Sequence, residues 1–156
     1  MEKLLQLKTL IISSTTVESK PFISYAPFAK VDEKFYIYIS ETAEHYANLC
    51  KNPKVAVMLI EDEKDAKTAF GRERVSFNAT ATKLETVSDA IWEAFESKQG
   101  SDLLQVLKSL DFHMFELELH TGRLVQGFGK AYDLTLKDGK WEQEQATGKG
   151  HGGEKK

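Results

Sequence analysis

Cysteine is almost absent from this sequence. Cys50 stands alone among 156 residues, which excludes an internal disulfide, and without a Cys-x-x-Cys pair it also excludes a thiolate zinc site. In the helix predicted around it, Cys50 is expected simply to pack. A net positive charge is also lacking: the net charge is −3, and the arginines are Arg72, Arg74 and Arg123 alone. A nucleic-acid surface needs clustered cations to displace counterions, so DNA and RNA are not expected partners. No apolar run approaches the ~18 residues of a spanning helix. The opening MEKLLQLKTLIISSTT carries neither a sustained apolar segment nor a small-residue cleavage site, so a cytoplasmic protein without membrane contact is expected. The acidic stretch Glu61–Lys67 lacks the Asp-x-Asp-x-Asp-Gly spacing of a calcium loop and reads as solvated.

What remains is a chain of one-domain length, 41% hydrophobic and 29% charged, long enough to bury a core. Glu2 to Lys8 suggests a helical turn. Thr9–Ser14, Pro21–Lys30 and Phe35–Ser40 predict an antiparallel meander, with Pro27 marking an edge or bulge. Thr42 caps a predicted helix whose apolar stripe is Ala43, Tyr46, Ala47 and Cys50, which leaves His45, beside Asn48 and Leu49, at the surface. Val55–Ile60, apolar on both faces, predicts a central strand. Alternation from Val75 to Ala81 predicts another. Two core-covering helices follow, one from Ser88 to Gly100 and one carrying Leu103, Leu104, Val106, Leu107 and Leu110. Phe112–His120 is a strand with His113 on its apolar face, read as a hydrogen-bonded core histidine. Thr121-Gly122 reads as a turn into a strand from Arg123 to Leu136. Lys137-Asp-Gly-Lys140 is a hairpin turn, and a tail begins near Gln145. Seven strand candidates and three helices give a mainly β domain, a β-barrel or α+β fold over residues 1–144, with 145–156 as a flexible tail.

Three features carry chemistry. In a strand, Arg72 and Arg74 share a parity, so both guanidiniums face one side; a surface pair and a bidentate grip on a phosphate or carboxylate both fit that spacing. Gly127 and Gly129 remove side chains where a flat group or another backbone approaches; without a strand-to-helix switch they are no dinucleotide loop. In the tail, His151 is flanked by glycines. Its composition fits a frayed end, and imidazole on a freely turning backbone is also a ligand for iron, haem iron included.

The order of elements, the stretch HTGRLVQGFGKAYDL, the strand FGRERVSF and the glycine-flanked C-terminal histidine together resemble the HugZ/HutZ family of haem-degrading proteins. That family belongs to the pyridoxamine-phosphate-oxidase-like split barrels, otherwise known for binding flavin mononucleotide. The resemblance implies a split β-barrel of six to seven mostly antiparallel strands with a few covering helices. It also implies a homodimer with haem in a cleft between subunits. The longer members carry an extra N-terminal domain with no counterpart here, so the short form is expected. His151 matches the iron ligand, and Arg72 or Arg74 the catalytic arginine on the opposite side of the haem. A basic residue at the rim, Lys130 among the candidates, would meet the propionates. The implied activity is a haem oxygenase that opens the tetrapyrrole and releases iron. Haem is both substrate and cofactor, and electrons come from an external reductase, since the chain has no redox motif of its own. Two alternatives stand beside this. One is an FMN-binding oxidoreductase on the same barrel, with Arg72, Arg74 and Lys83 or Lys130 on the flavin phosphate. The other is a haem storage or transfer protein without turnover.

Overall fold

A computed structural model describes residues 1–146. Eight strands occur among them: β1 (Thr9–Thr15), β2 (Pro21–Val31), β3 (Lys34–Ser40), β4 (Lys54–Ile60), β5 (Arg74–Lys83), β6 (Phe112–Val125), β7 (Ala131–Lys137) and β8 (Lys140–Gln145). Every pairing is antiparallel. The first six follow the order β3-β2-β1-β4-β5-β6, and β6 pairs back onto β3 to close a barrel; β7 and β8 then extend the sheet from β6. The helices are α1 (Glu2–Leu5), α2 (Glu44–Lys51), α3 (Asp89–Gln99) and α4 (Ser101–Lys108).

Alternation along the strands makes the barrel. Leu10 and Ile12, Val57 and Leu59, Val75 and Phe77, and Leu117 and Leu119 point inward and are buried. Phe28, Phe35 and Phe77 pack in series, with centroids 5.1 and 5.8 Å apart. Each of these large side chains contributes about 1.5–3 kcal/mol on burial. β3 is buried on both faces, because Tyr36 and Tyr38 on its outer side lie with Met114 under Ile91 and Phe95 of α3 and Leu104 of α4. Pro27 sits where β2 leaves β1 for β3: the last β1 pair is Thr9 with Pro27, and the first β3 pair is Phe28 with Ile37. A residue without an N–H suits that change of partner.

Several expectations are corrected here. Thr121-Gly122 is no turn; β6 runs on to Val125. Between the pairs Ala79–Leu119 and Phe77–Gly122, β6 holds two residues, His120 and Thr121, against Asn78 alone. This β-bulge switches the inward parity from Leu119 to Gly122 and Leu124, so a strict two-residue period fails across it. The strand expected from Arg123 to Leu136 is broken by a tight turn at Gln126–Lys130, closed by Gln126 N–H donating to Lys130 O at 2.9 Å. Gly127 and Gly129 have φ of 144° and 73°, values that the turn requires and that glycine adopts without strain.

The buried face of α2 is His45, Asn48 and Leu49, while Cys50 is exposed. The helix lies over hydroxyl-bearing positions of the sheet, and its polar side bonds to them: His45 Nδ1 to Ser24 Oγ at 2.9 Å and Asn48 Nδ2 to Ser14 Oγ at 3.2 Å. α4 covers the sheet through Leu104 and, in part, Leu107, leaving Leu103 and Val106, and Leu110 beyond its end, exposed. His113 is half-buried at the rim against Glu41, at 2.7 Å, and is not a core residue.

Candidate functional site at one end of the barrel

β4 ends at Ile60, β5 begins at Arg74, β6 ends at Val125 and β7 begins at Ala131. These four residues lie side by side across the sheet, Ile60 with Arg74, Arg74 with Val125, and Val125 with Ala131. Ala146 continues the row by donating its N–H to Ala131 O at 2.9 Å. The described chain therefore ends beside the Gln126–Lys130 turn. His151 lies outside the described residues.

Glu61, expected in a solvated loop, is instead buried. Its Oε1 accepts from Glu73 N–H at 2.6 Å and its Oε2 from Lys3 Nζ at 2.9 Å. The Glu73 amide first, and Lys3 second, hold its carboxyl below the usual carboxylate range. Two 3-10 turns, Glu63–Asp65 and Ala69–Gly71, follow with caps from Asp62 and Thr68. The second places Arg72 ahead of β5 rather than on it, so Arg72 and Arg74 do not form the same-face strand pair that their parity predicted. Arg72 turns its fork inward onto Glu61 O, with Nε at 3.0 Å and Nη2 at 2.6 Å. Arg74 uses Nη1 alone, on Arg72 O at 2.8 Å. Its Nε and Nη2 have no partner among the described residues.

A cavity of about 350 Å³ opens here, lined by Lys3 and Lys67, by the carboxylates Glu61, Asp65 and Glu73, and by Phe128 among others. Phe128, in this lining, stacks on Phe70 with centroids 6.4 Å apart and planes 18° apart, and the two rings are 67% and 77% exposed. Lys130 is exposed at the end of the same turn. Sequence reasoning missed Phe70 and Phe128; for Phe128 the signal was an aromatic residue between two glycines, which no strand requires.

Other candidates fall elsewhere. Lys83, at the far end of β5 and roughly 30 Å from Arg74 at ~3.3 Å per residue, bonds Tyr46 OH at 2.9 Å. Arg123 is closed on Asp133 Oδ1 at 2.7 Å. His45 and His113 are engaged as described, and His120 lies 2.7 Å from Thr80 Oγ1. Among the described residues no three His, Cys, Asp or Glu side chains form a metal site, and no helix is long and apolar enough to cross a membrane.

Residues 1–126 match the family described as pyridoxamine 5'-phosphate oxidase (PNPOx_N). The chain belongs to that family. Within it, this member is 36% identical over 135 residues to the heme oxygenase HutZ of Vibrio cholerae serotype O1, covering 84% of this chain and 76% of that protein. The crystal structure of Campylobacter jejuni ChuZ superposes with a TM-score of 0.84 at 32% identity over 98% of this chain. This family member spans 63% of the ChuZ chain. HutZ from Vibrio cholerae, solved as a heme storage protein, gives a TM-score of 0.69 at 34% identity, covering 76% of this chain and 87% of that one. The six-stranded barrel, with its extra strands and covering helices, is the split barrel of this family.

Proposed function

We propose that this protein binds haem and degrades it oxidatively, opening the tetrapyrrole and releasing iron with electrons from an external reductase. One observation carries the reading: the row Arg74–Val125–Ala131–Ala146 brings a guanidinium with free donors, Lys130 and the start of the tail to one end of the barrel. From Ala146 to His151 is five residues, a reach of no more than about 17 Å, so the tail imidazole can meet a ligand held at this end. The groups present suit a flat dianion: cations at Lys130, Arg74 and Lys67 for its carboxylates and exposed rings at Phe70 and Phe128 for its face.

Haem supplies the oxygen chemistry through its own iron. The chain's residues would orient and hold it: His151 as a ligand to the iron, Arg74 as a donor to developing negative charge, and Lys130 as a propionate partner. Of the two arginines Arg74 is the catalytic one, because Arg72 is committed to Glu61 O. The site is completed by a second copy of the chain. Across the outer face of the barrel run Tyr25, Ile11 and Met58 in register, flanked by Ile23. Ile23 and Tyr25 are 72% and 68% exposed, an apolar face suited to a homodimer whose cleft takes the haem.

The test is a haemin titration of the protein and its His151→Ala variant, followed by absorption, then ascorbate and air with iron release measured. The expected result is a saturable Soret band at one haem per subunit, shifted or lost in the variant, and a band that bleaches with iron release. A stable band without bleaching would favour a haem store. Weak, identical spectra for both proteins would overturn the haem reading in favour of FMN.

A further inference from the structure

A single peptide plane joins the buried Glu61 to Arg74. The C=O of Arg72 and the N–H of Glu73 belong to the same trans unit, so they point in opposite directions from one rigid plane. On one side the Glu73 N–H donates to Glu61 Oε1 at 2.6 Å, and on the other the Arg72 oxygen accepts from Arg74 Nη1 at 2.8 Å. Whatever fixes that N–H therefore also fixes the carbonyl on which Arg74 hangs.

Glu61 is placed to fix it. Its own N–H donates to Glu73 O at 2.9 Å, and its carbonyl carries the Arg72 fork, so its main chain is tied to residues 72 and 73. The residue is 8% exposed, and Lys3 Nζ occupies its second carboxylate oxygen at 2.9 Å. An ionised acceptor makes a shorter and stronger bond to an amide than a neutral one does. It also polarises the peptide, which strengthens the carbonyl on the far side as an acceptor for the guanidinium. Anchored through Nη1, Arg74 keeps Nε and Nη2 unpaired among the described residues.

We propose that Glu61 is a positioning residue for Arg74: its carboxylate aims the Arg72–Glu73 peptide, and that peptide holds the guanidinium with Nε and Nη2 left for a ligand. The consequence for turnover rests on the haem reading of this end of the barrel, in which Arg74 donates to developing negative charge.

The test compares Glu61→Gln, which keeps an oxygen for the Glu73 N–H, with Glu61→Met, which keeps the length of the side chain without that acceptor. Both lose the charge that meets Lys3, so a difference between them reports the acceptor alone. The first readout needs no haem. In the nitrogen-15 spectrum of the haem-free protein, an anchored Arg74 is expected to show two resolved Nη resonances, merged into one in Glu61→Met and resolved again in Glu61→Gln. The second is single-turnover haem bleaching, expected to fall about 10- to 100-fold in Glu61→Met and to be rescued by Glu61→Gln. Merged Arg74 resonances in the unmodified protein overturn the proposal before any variant is made. Resonances that stay resolved in Glu61→Met, or that merge in Glu61→Gln as well, overturn it too. Merging in Glu61→Met alone, with turnover unchanged there and in Arg74→Lys, supports the anchoring and overturns the catalytic reading of Arg74.

Discussion

Arg72 closes its Nε and Nη2 on the carbonyl oxygen of Glu61, at 3.0 and 2.6 Å. That contact ties the 3-10 turn before β5 to the end of β4 and leaves Arg74 to face outward with two unused donors. The two arginines therefore separate under mutation. Arg72→Ala is expected to cost about 1–3 kcal/mol of stability with haem affinity retained. Arg74→Lys is expected to leave the melting temperature nearly unchanged and lower haem turnover by about 100-fold. Thermal melts beside single-turnover bleaching assays distinguish the two.

Gly122 has no room for a side chain. A Cβ there would lie 2.5 Å from Ser76 O and 2.6 Å from Phe77 Cδ1. The first obstacle is backbone in a paired strand and cannot step aside. Gly122→Ala is expected to destabilise the barrel by about 2–3 kcal/mol, read as a lower urea midpoint with an unchanged slope.

Burial lowers the pKa of His45 from its usual 6.5. In the unfolded chain the imidazole takes its proton near that ordinary value, in the folded one only at lower pH. The stability this neutral histidine contributes is present above about pH 6.5 and is lost as pH falls below it. Urea midpoints against pH for the protein and His45→Gln are expected to converge on the acid side. Parallel curves would sink the prediction.

Lys98 works in the opposite sense. Its amine falls from 10.5 to about 8 on folding, so the unfolded chain binds the extra proton between those values. The destabilisation is present in full below pH 8 and disappears as pH climbs toward 10.5. Lys98→Met is expected to raise stability at neutral pH by about 1–2 kcal/mol, offset in part by loss of the hydrogen bond from Lys98 Nζ to Leu5 O at 3.0 Å. The gap to the unmodified protein should narrow in alkali, as chemical denaturation across that range would show.

Much of this fold was legible because alternation works wherever a strand keeps one register. Val75, Phe77, Ala79 and Ala81 all read correctly. It failed at His120-Thr121, where the bulge changes parity, and at α2, where His45 and Asn48 are buried because their partners are hydroxyls rather than methyls. Neither cause is local to the residues misread. At the candidate site, Arg74 and Lys130 do fall at one end of the sheet, whereas Lys83 belongs to the other. Arg72 could not be separated from Arg74 by spacing, since its fate is set by Glu61, eleven residues earlier in a loop.

β6 serves three neighbours: β3 through Phe112–Glu118, β5 through Phe115–Val125 and β7 through Thr121–Val125. A nascent chain emerging from the ribosome can assemble β1 to β5, yet β3 and β5 keep open edges until this one late segment arrives to satisfy both. Closure joins partners far apart in sequence and is expected to limit the folding rate. Slowing translation just before residue 112 would lengthen the time those edges spend available to other chains, and synthesis speed across that point becomes a determinant of soluble yield.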